Sequence, residues 1–192
     1  MLRKLYDKTL ALAAGRHAKS ALFGVSFAES SFFPLPPDLL LIPMVIAERH
    51  RWLFYATLCT IASVIGGLFG YAIGYLLFEQ LARPLIEFYG YGEKFASFTD
   101  RFHLYGAWIV FFAGVTPFPY KVITIASGAA GLSLPVFIIA SIFARGLRFF
   151  LVAGLLYRYG TPIRTFIEER LWLVFTVGSA LLIGGFLLVK VL

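Results

Sequence analysis

Ser20 to Ala47 reads SALFGVSFAESSFFPLPPDLLLIPMVIA, apolar enough for a lipid bilayer yet interrupted by Glu29, Pro34, Pro36, Pro37, Asp38 and Pro43. Proline lacks a backbone donor and clashes with the turn before it, so one unbroken helix over this stretch is excluded. Irregular backbone at membrane depth persists only where protein buries it or where it lines a cavity. A re-entrant helical hairpin over residues 20–47, with its tip near Pro34 to Pro37, meets that condition. The pattern recurs over residues 106–132. There Trp108 to Ala113 is apolar, Thr116-Pro117-Phe118-Pro119-Tyr120-Lys121 breaks the run, and Val122 to Leu132 resumes it. Each stretch carries a Phe-Ala pair (Phe27-Ala28, Phe112-Ala113) ahead of a Pro-x-Pro corner (Pro34 to Pro36, Pro117 to Pro119), and each is followed by a long apolar run. This is an internal repeat. A hairpin returns to its own side and leaves one crossing per repeat, so the two repeats are expected to be inverted.

The long runs lie at residues 52–78, 134–157 and 171–190. Trp52 to Phe78 and Leu171 to Val189 carry no charge, and at about 1.5 Å per residue each is long enough to cross a hydrocarbon core of roughly 30 Å. Gly66, Gly70 and Gly74 recur every four residues in the first span, a small-residue stripe that admits a neighbouring helix at close range. With 60% hydrophobic residues, 14% charged residues and a mean hydropathy of +0.84, the chain is expected to be an all-α integral membrane protein forming one domain over residues 1–192. The expected architecture is the inverted repeat of re-entrant hairpin plus transmembrane helix, with a further C-terminal transmembrane helix.

The net charge of +7 sits mainly in the gaps between apolar runs, where basic residues set topology beside anionic head groups; nucleic acid is not an expected partner. Residues 1–19 read as a basic amphipathic helix on the cytoplasmic surface rather than as a cleaved signal. Residues 79–104, with Phe88, Tyr89, Tyr91, Phe95 and Phe98 among charges of both signs, read as an interfacial amphipathic connection. Arg158, Arg164 and Arg170 fall in a short cytoplasmic link. The implied location is a membrane, crossed several times. Cys59, the sole cysteine, excludes an intramolecular disulfide and reads as small apolar filler.

Five ionisable residues stand at membrane depth: Glu29 and Asp38 in the first hairpin, Lys121 in the second, and Arg145 and Arg148 in the span after it. Each arginine costs about 2.5 to 3.5 kcal/mol at the bilayer centre on insertion scales, which demands an anionic or aqueous partner. Lys121, Arg145 and Arg148, with Thr116 and Tyr120 of the same corner region, form the candidate substrate-binding set, since guanidinium and ammonium groups hold phosphate. Glu29 and Asp38 are the candidate proton-coupling pair. The competing expectation is that these charges pair with one another and only fix the hairpins. His17, His50 and His103 lack ligand spacing, so no metal is expected. No nucleophile elbow or phosphate-binding loop is present, and no cofactor is expected.

Glu29 with Pro34 and Pro36-Pro37-Asp38, the Thr116 to Lys121 corner followed by Ala126-Ser127-Gly128-Ala129-Ala130-Gly131, and Arg145-Gly146-Leu147-Arg148-Phe149-Phe150 together resemble the DedA superfamily, also called SNARE-associated or VTT-domain proteins. The likeness covers about Ala18 to Gly160 and is strongest to the YqaA-like branch. It implies two facing re-entrant hairpins and a role in moving or scrambling lipids, undecaprenyl phosphate among them, with the family's acidic pair falling on Glu29 and Asp38. The family's paired arginines of the second hairpin fall near Gly114 and Val115 and nearest Lys121, a departure that Arg145 and Arg148 can compensate. The expected function is a non-enzymatic transporter, flippase or scramblase of anionic lipids, a polyprenyl phosphate or a phospholipid, coupled to protons and able to form a homo-oligomer. Two alternatives remain. One is an enzyme similar to undecaprenyl diphosphate phosphatases, suggested by Glu29-Ser30-Ser31, although position 33 is Phe where that pattern needs a second glutamate. The other is a membrane assembly or interaction protein without turnover.

Overall fold

The computed structural model describes residues 17–160, apart from 34, 79, 81–82, 89, 91 and 117. Most of the amphipathic segment 1–19, Pro34, Pro117, Arg164, Arg170 and the 171–190 span therefore lie outside the described residues. Among the described residues the regular structure is helical throughout. It comprises α1 (Ala18–Ser31), α2 (Asp38–Ala47), a 3₁₀ turn (Arg49–Arg51), α3 (Trp52–Leu77), α4 (Arg83–Phe88), α5 (Gly92–Val115), α6 (Tyr120–Ala129) and α7 (Leu134–Tyr159).

Local chemistry sets the ends. α1 stops at Ser31, where the Phe32 and Phe33 amides both bond to the Ala28 carbonyl. α2 starts directly after Pro37, whose φ of −65° is already helical, as suits proline at a helix start. Pro43 sits inside α2 and removes one helical bond without ending the helix. α6 ends in a Schellman motif: Gly131 has φ 65°, its amide bonds to Gly128 at 3.1 Å, and the Leu132 amide bonds to Ser127 at 3.0 Å. Only glycine takes that φ without a side-chain penalty. One expected boundary is absent. α5 runs unbroken from Gly92 to Val115 across residues 104–106, because that junction holds no proline and a lone Gly106 does not stop a helix.

Among the described residues α3 and α7 are the two helices long and apolar enough to cross a membrane. They run antiparallel. The Trp52 ring stacks on Tyr157 with centroids 5.5 Å apart, while Tyr71 meets Phe137 at 5.3 Å. Their outer faces leave Phe54, Ile61, Phe69, Ile142, Phe143 and Leu151 exposed, a surface suited to hydrocarbon rather than water.

The shorter helices lie end to end along these two. Beside α3, α1 comes first, with Lys19 over the Phe54 ring and Ser30 against Ser63; α6 follows, with Thr124 at Gly70 and Ile125 at Gly74. Beside α7, α5 comes first, with Gly114 against Ala144; α2 follows, its Leu41, Met44 and Val45 in one apolar cluster with Phe149, Ala153 and Leu156. Each of these four helices is parallel to the long helix it covers. The glycine stripe on α3 sets the closeness: a Cβ added to Gly66 or Gly74 would collide with the carbonyl oxygen of Phe27 or Ile125, and one on Gly70 with the Thr124 hydroxyl.

Candidate functional site

The breaks between the short helices fall halfway along the long ones. Tyr120, the first residue of α6, packs against Gly67 of α3, and Asp38, the first residue of α2, meets Arg148 of α7. Four helix ends and both corners therefore converge at one depth. The N-termini of α2 and α6 bring the positive ends of their dipoles there.

Arg145 is the centre of this region. Its side chain is 0% exposed, and its Nη2 donates to Glu29 Oε2 at 2.7 Å. Its Nε donates to the Ser63 hydroxyl at 2.6 Å, the Ser63 and Ser30 hydroxyls lie 2.6 Å apart, and Ser30 donates back to Glu29 Oε2 at 3.1 Å. Since a guanidinium only donates and a carboxylate only accepts, the bonds of this ring all point the same way, from Arg145 through Ser63 and Ser30 to Glu29. The guanidinium also faces the rings of Tyr120 and Phe149 at 4.8 and 4.7 Å, contacts that favour a desolvated cation. Tyr120 is held in turn by a 2.5 Å bond from its hydroxyl to Ser141. Arg145 Nη1 is buried and has no hydrogen-bond partner among the described residues.

A second pair lies one helical turn on. Arg148 Nη2 meets Asp38 Oδ2 at 2.8 Å, with side chains 18% and 24% exposed, and Arg148 Nη1 donates to the Thr116 carbonyl at 3.2 Å. One arginine thus bonds the carbonyl just past the end of α5 and the acidic first residue of α2, each a favoured place for its charge. Asp38 Oδ1 is buried without a partner among the described residues.

Between the corners lies a cavity of about 330 Å³, lined by Glu29, Phe33, Pro36, Phe118, Pro119, Lys121 and Arg148. Its charged groups bear a positive excess, two cations to one carboxylate, and aromatic and proline side chains line the rest. Among the described residues no ion pair engages Lys121.

The expected site residues are thus brought together, but not as equals. Lys121, Arg148 and Glu29 reach the cavity, with Pro36 and Pro119 in its wall. Arg145 and Tyr120 are fully buried, so in this conformation they support the site rather than touch a ligand. Thr116 offers Arg148 its carbonyl, while its hydroxyl turns back to Ala113. Pro37 sets the start of α2. Sequence reading left Ser63, Phe33 and Phe118 out of the site and named Ser30 only in the enzyme alternative. Hydroxyls in an apolar helix pass for small filler, although Ser30 beside Glu29 was a usable signal. Away from this region the Tyr55 hydroxyl donates to Glu48, which also meets Arg51 at 3.3 Å. The Tyr55 bond, more than the charge of Arg51, holds the Glu48 carboxyl below its usual range. Among the described residues no three His, Cys, Asp or Glu side chains gather to hold a metal ion.

Comparison with known proteins agrees with this picture at the level of family. The model of the VTT domain, the domain of the DedA family, matches residues 35–158. An uncharacterized protein of Haemophilus influenzae is 39% identical over 151 residues, which are 79% of this chain and 78% of that protein. A second, from Histophilus somni, is 36% identical over 151 residues with the same shares covered. No solved structure matches. The chain belongs to the VTT-domain family, the DedA membrane proteins.

Proposed function

We propose that this protein carries amphiphiles with an anionic phosphate head across the membrane, the head group entering the cavity between the two corners. One observation carries the reading: an open cavity, halfway along both long helices, with Lys121 and Arg148 in an otherwise largely apolar wall. Ammonium and guanidinium groups with two helix N-termini suit phosphate, and Phe33, Pro36, Phe118 and Pro119 suit the tail beside it. Glu29 and Asp38 hold the two arginines. Phosphate competes with Asp38 for Arg148, and protons balance the carboxylates as the arginine turns to the ligand. No covalent step, cofactor or nucleic acid is required; the partners are membrane lipids and protons, with a homo-oligomer compatible.

Within this reading the α1–α2 and α5–α6 pairs are re-entrant hairpins, because their breaks lie at mid-length of α3 and α7. The two units are inverted repeats, because α3 and α7 are antiparallel while each is parallel to its short helices. Lys19, Arg49, Arg51 and Arg158 gather at one end, as expected of the cytoplasmic face of a multi-pass inner-membrane protein.

The internal pairing of both arginines favours one other reading, a static clamp in a non-transporting assembly protein. Liposomes holding the purified protein, a labelled polyprenyl phosphate or phospholipid and an imposed pH gradient separate the two. Transport predicts lipid movement above protein-free vesicles, reduced at least tenfold by Lys121→Gln or Arg148→Ala. No movement of either lipid class would sink the transport reading, and release of inorganic phosphate from undecaprenyl diphosphate would replace it with an enzyme.

A further inference from the structure

Only one short helix of each repeat stays with the long helix that follows it in sequence, and the other crosses to the opposite one. α1 and α6 both lie on α3; α5 lies on α7, and α2 is tied to α7 by the Asp38–Arg148 pair. We infer that the working parts of this protein are two bodies, α1–α3–α6 and α5–α7–α2, that rock against each other across the α3–α7 seam with the two corners as hinges. The inference rests on the transport reading but names the moving parts, which that reading leaves open.

Three observations set the division. Backbone meets backbone inside the first body: Gly66 and Gly74 of α3 abut the Phe27 and Ile125 carbonyls, and Gly128 of α6 abuts the Tyr71 carbonyl. Two hydroxyls pin the same body, Ser31 to the Gly66 carbonyl at 2.9 Å and Thr124 to the Ser30 carbonyl at 3.0 Å, the latter joining α6 directly to the end of α1. Such contacts leave no side chain to repack, so they resist sliding. The second body is held by Arg148, which bonds the Thr116 carbonyl past the end of α5 and Asp38 of α2.

Across the seam the character changes. Gly146 and Gly154 of α7 face only the side chains of Thr60 and Trp52, and Trp52 stacks on Tyr157. Side-chain seams of this kind admit small shear between packed helices. Each corner, described at residues 32–33 and 35–37 and at 116 and 118–119, leaves a helix of one body and enters a helix of the other. Among the described residues the polar ties across the seam include the Arg145–Glu29 ion pair, the Arg145 bond to Ser63 at 2.6 Å and the Tyr120 bond to Ser141 at 2.5 Å; these side-chain bonds are the latch between the bodies, and the cavity lies where both hinges cross. Rocking opens the cavity toward one membrane face and then the other.

The test uses the full chain with Cys59→Ser and three cysteine pairs. Trp52→Cys with Tyr157→Cys spans the seam, where the rings are 5.5 Å apart; Phe27→Cys with Phe69→Cys lies within one body, where they are 5.8 Å apart. Both are joined by the same short bis-methanethiosulfonate cross-linker, each cysteine thiolate displacing one methanesulfinate. A third pair, Thr60→Cys with Gly146→Cys, closes the seam at mid-height by oxidation, the Thr60 methyl standing 3.9 Å from a Cβ at Gly146. One readout is lipid movement in liposomes, which the seam links should lower at least tenfold and the in-body link less than twofold. The other needs no cargo. Phe118 is replaced in every pair variant by p-azidophenylalanine, which is inert to the thiol chemistry, and a membrane-impermeant cyclooctyne is added from each side. Seam links should confine labelling to one side, and the in-body link should leave both sides reactive. Two-sided labelling with both seam links in place, or one-sided labelling produced by the in-body link alone, would overturn the two-body assignment whatever the cargo proves to be.

Discussion

Glu29→Gln should be among the most damaging single changes to stability in this chain, and Arg145→Met should largely repair it. The guanidinium of Arg145 is 0% exposed and its partner 14% exposed, so solvent screening is slight. Removing one member of a buried pair strands the other at a cost of about 3–5 kcal/mol. For a chain of this size that is a fall in melting temperature of roughly 6–20 °C, at about 2–4 °C per kcal/mol. Arg145→Met strands Glu29 instead. Glu29 lines the cavity and keeps the Ser30 hydroxyl, so the cost is smaller, about 1–3 kcal/mol. In the double variant neither charge remains uncompensated and Met fills the space between the Tyr120 and Phe149 rings, for a net cost of about 0–2 kcal/mol. The assay is thermal unfolding of the four proteins in detergent, followed by tryptophan fluorescence at two scan rates, because membrane proteins often unfold irreversibly. If the losses of the two single variants simply add in the double, the pair is not coupled and the account of the ring is wrong.

Further outcomes follow from other contacts. Gly74→Leu should lower the melting temperature and the yield of folded protein, at about 1–3 kcal/mol or more for overpacking, whereas Gly24→Ala, with nothing within 4 Å of its added Cβ, should match the parent in the same melts. Asp38→Asn should cost less than Glu29→Gln, about 1–2 kcal/mol after discounting for its 24% exposure, and should raise affinity for phosphate in equilibrium dialysis by freeing Arg148. The Glu48 carboxyl is held low, so its bond with Tyr55 supports the fold above about pH 4.5, where the unfolded carboxyl ionises, and that support is lost as pH falls through the lower folded value. Tyr55→Phe should remove this acid-side slope from melts between roughly pH 3 and 6, and an unchanged slope would discard the contact as a source of stability.

What the sequence disclosed tracks how local each cause is. The first corner was legible because Pro36 and Pro37 act on their own neighbours, and Trp52 to Phe78 was legible because apolar length is a local count; the helix ends at Leu77. The start of α5 was hidden. Its first half, Gly92 to His103, is charged and aromatic and its second half apolar, so one helix looked like a connection followed by a hairpin limb. The need of Arg145 for an anionic partner could be stated in advance from the cost of its charge. The choice of Glu29, 116 residues away, could not, because no periodicity spans such a distance. Ser63 was least visible of all, since its role lies wholly in the two groups it joins.

The Arg145–Ser63–Ser30–Glu29 ring also behaves as a one-way wire. Arg145 can never accept a proton at Nε, so Ser63 must always receive there and pass its own hydrogen onward, and Ser30 must do likewise. Reversal would need a proton to leave the guanidinium. The ring therefore cannot relay a proton from Glu29 back through the serines, and its hydrogen-bond polarity is fixed for as long as the guanidinium keeps its charge.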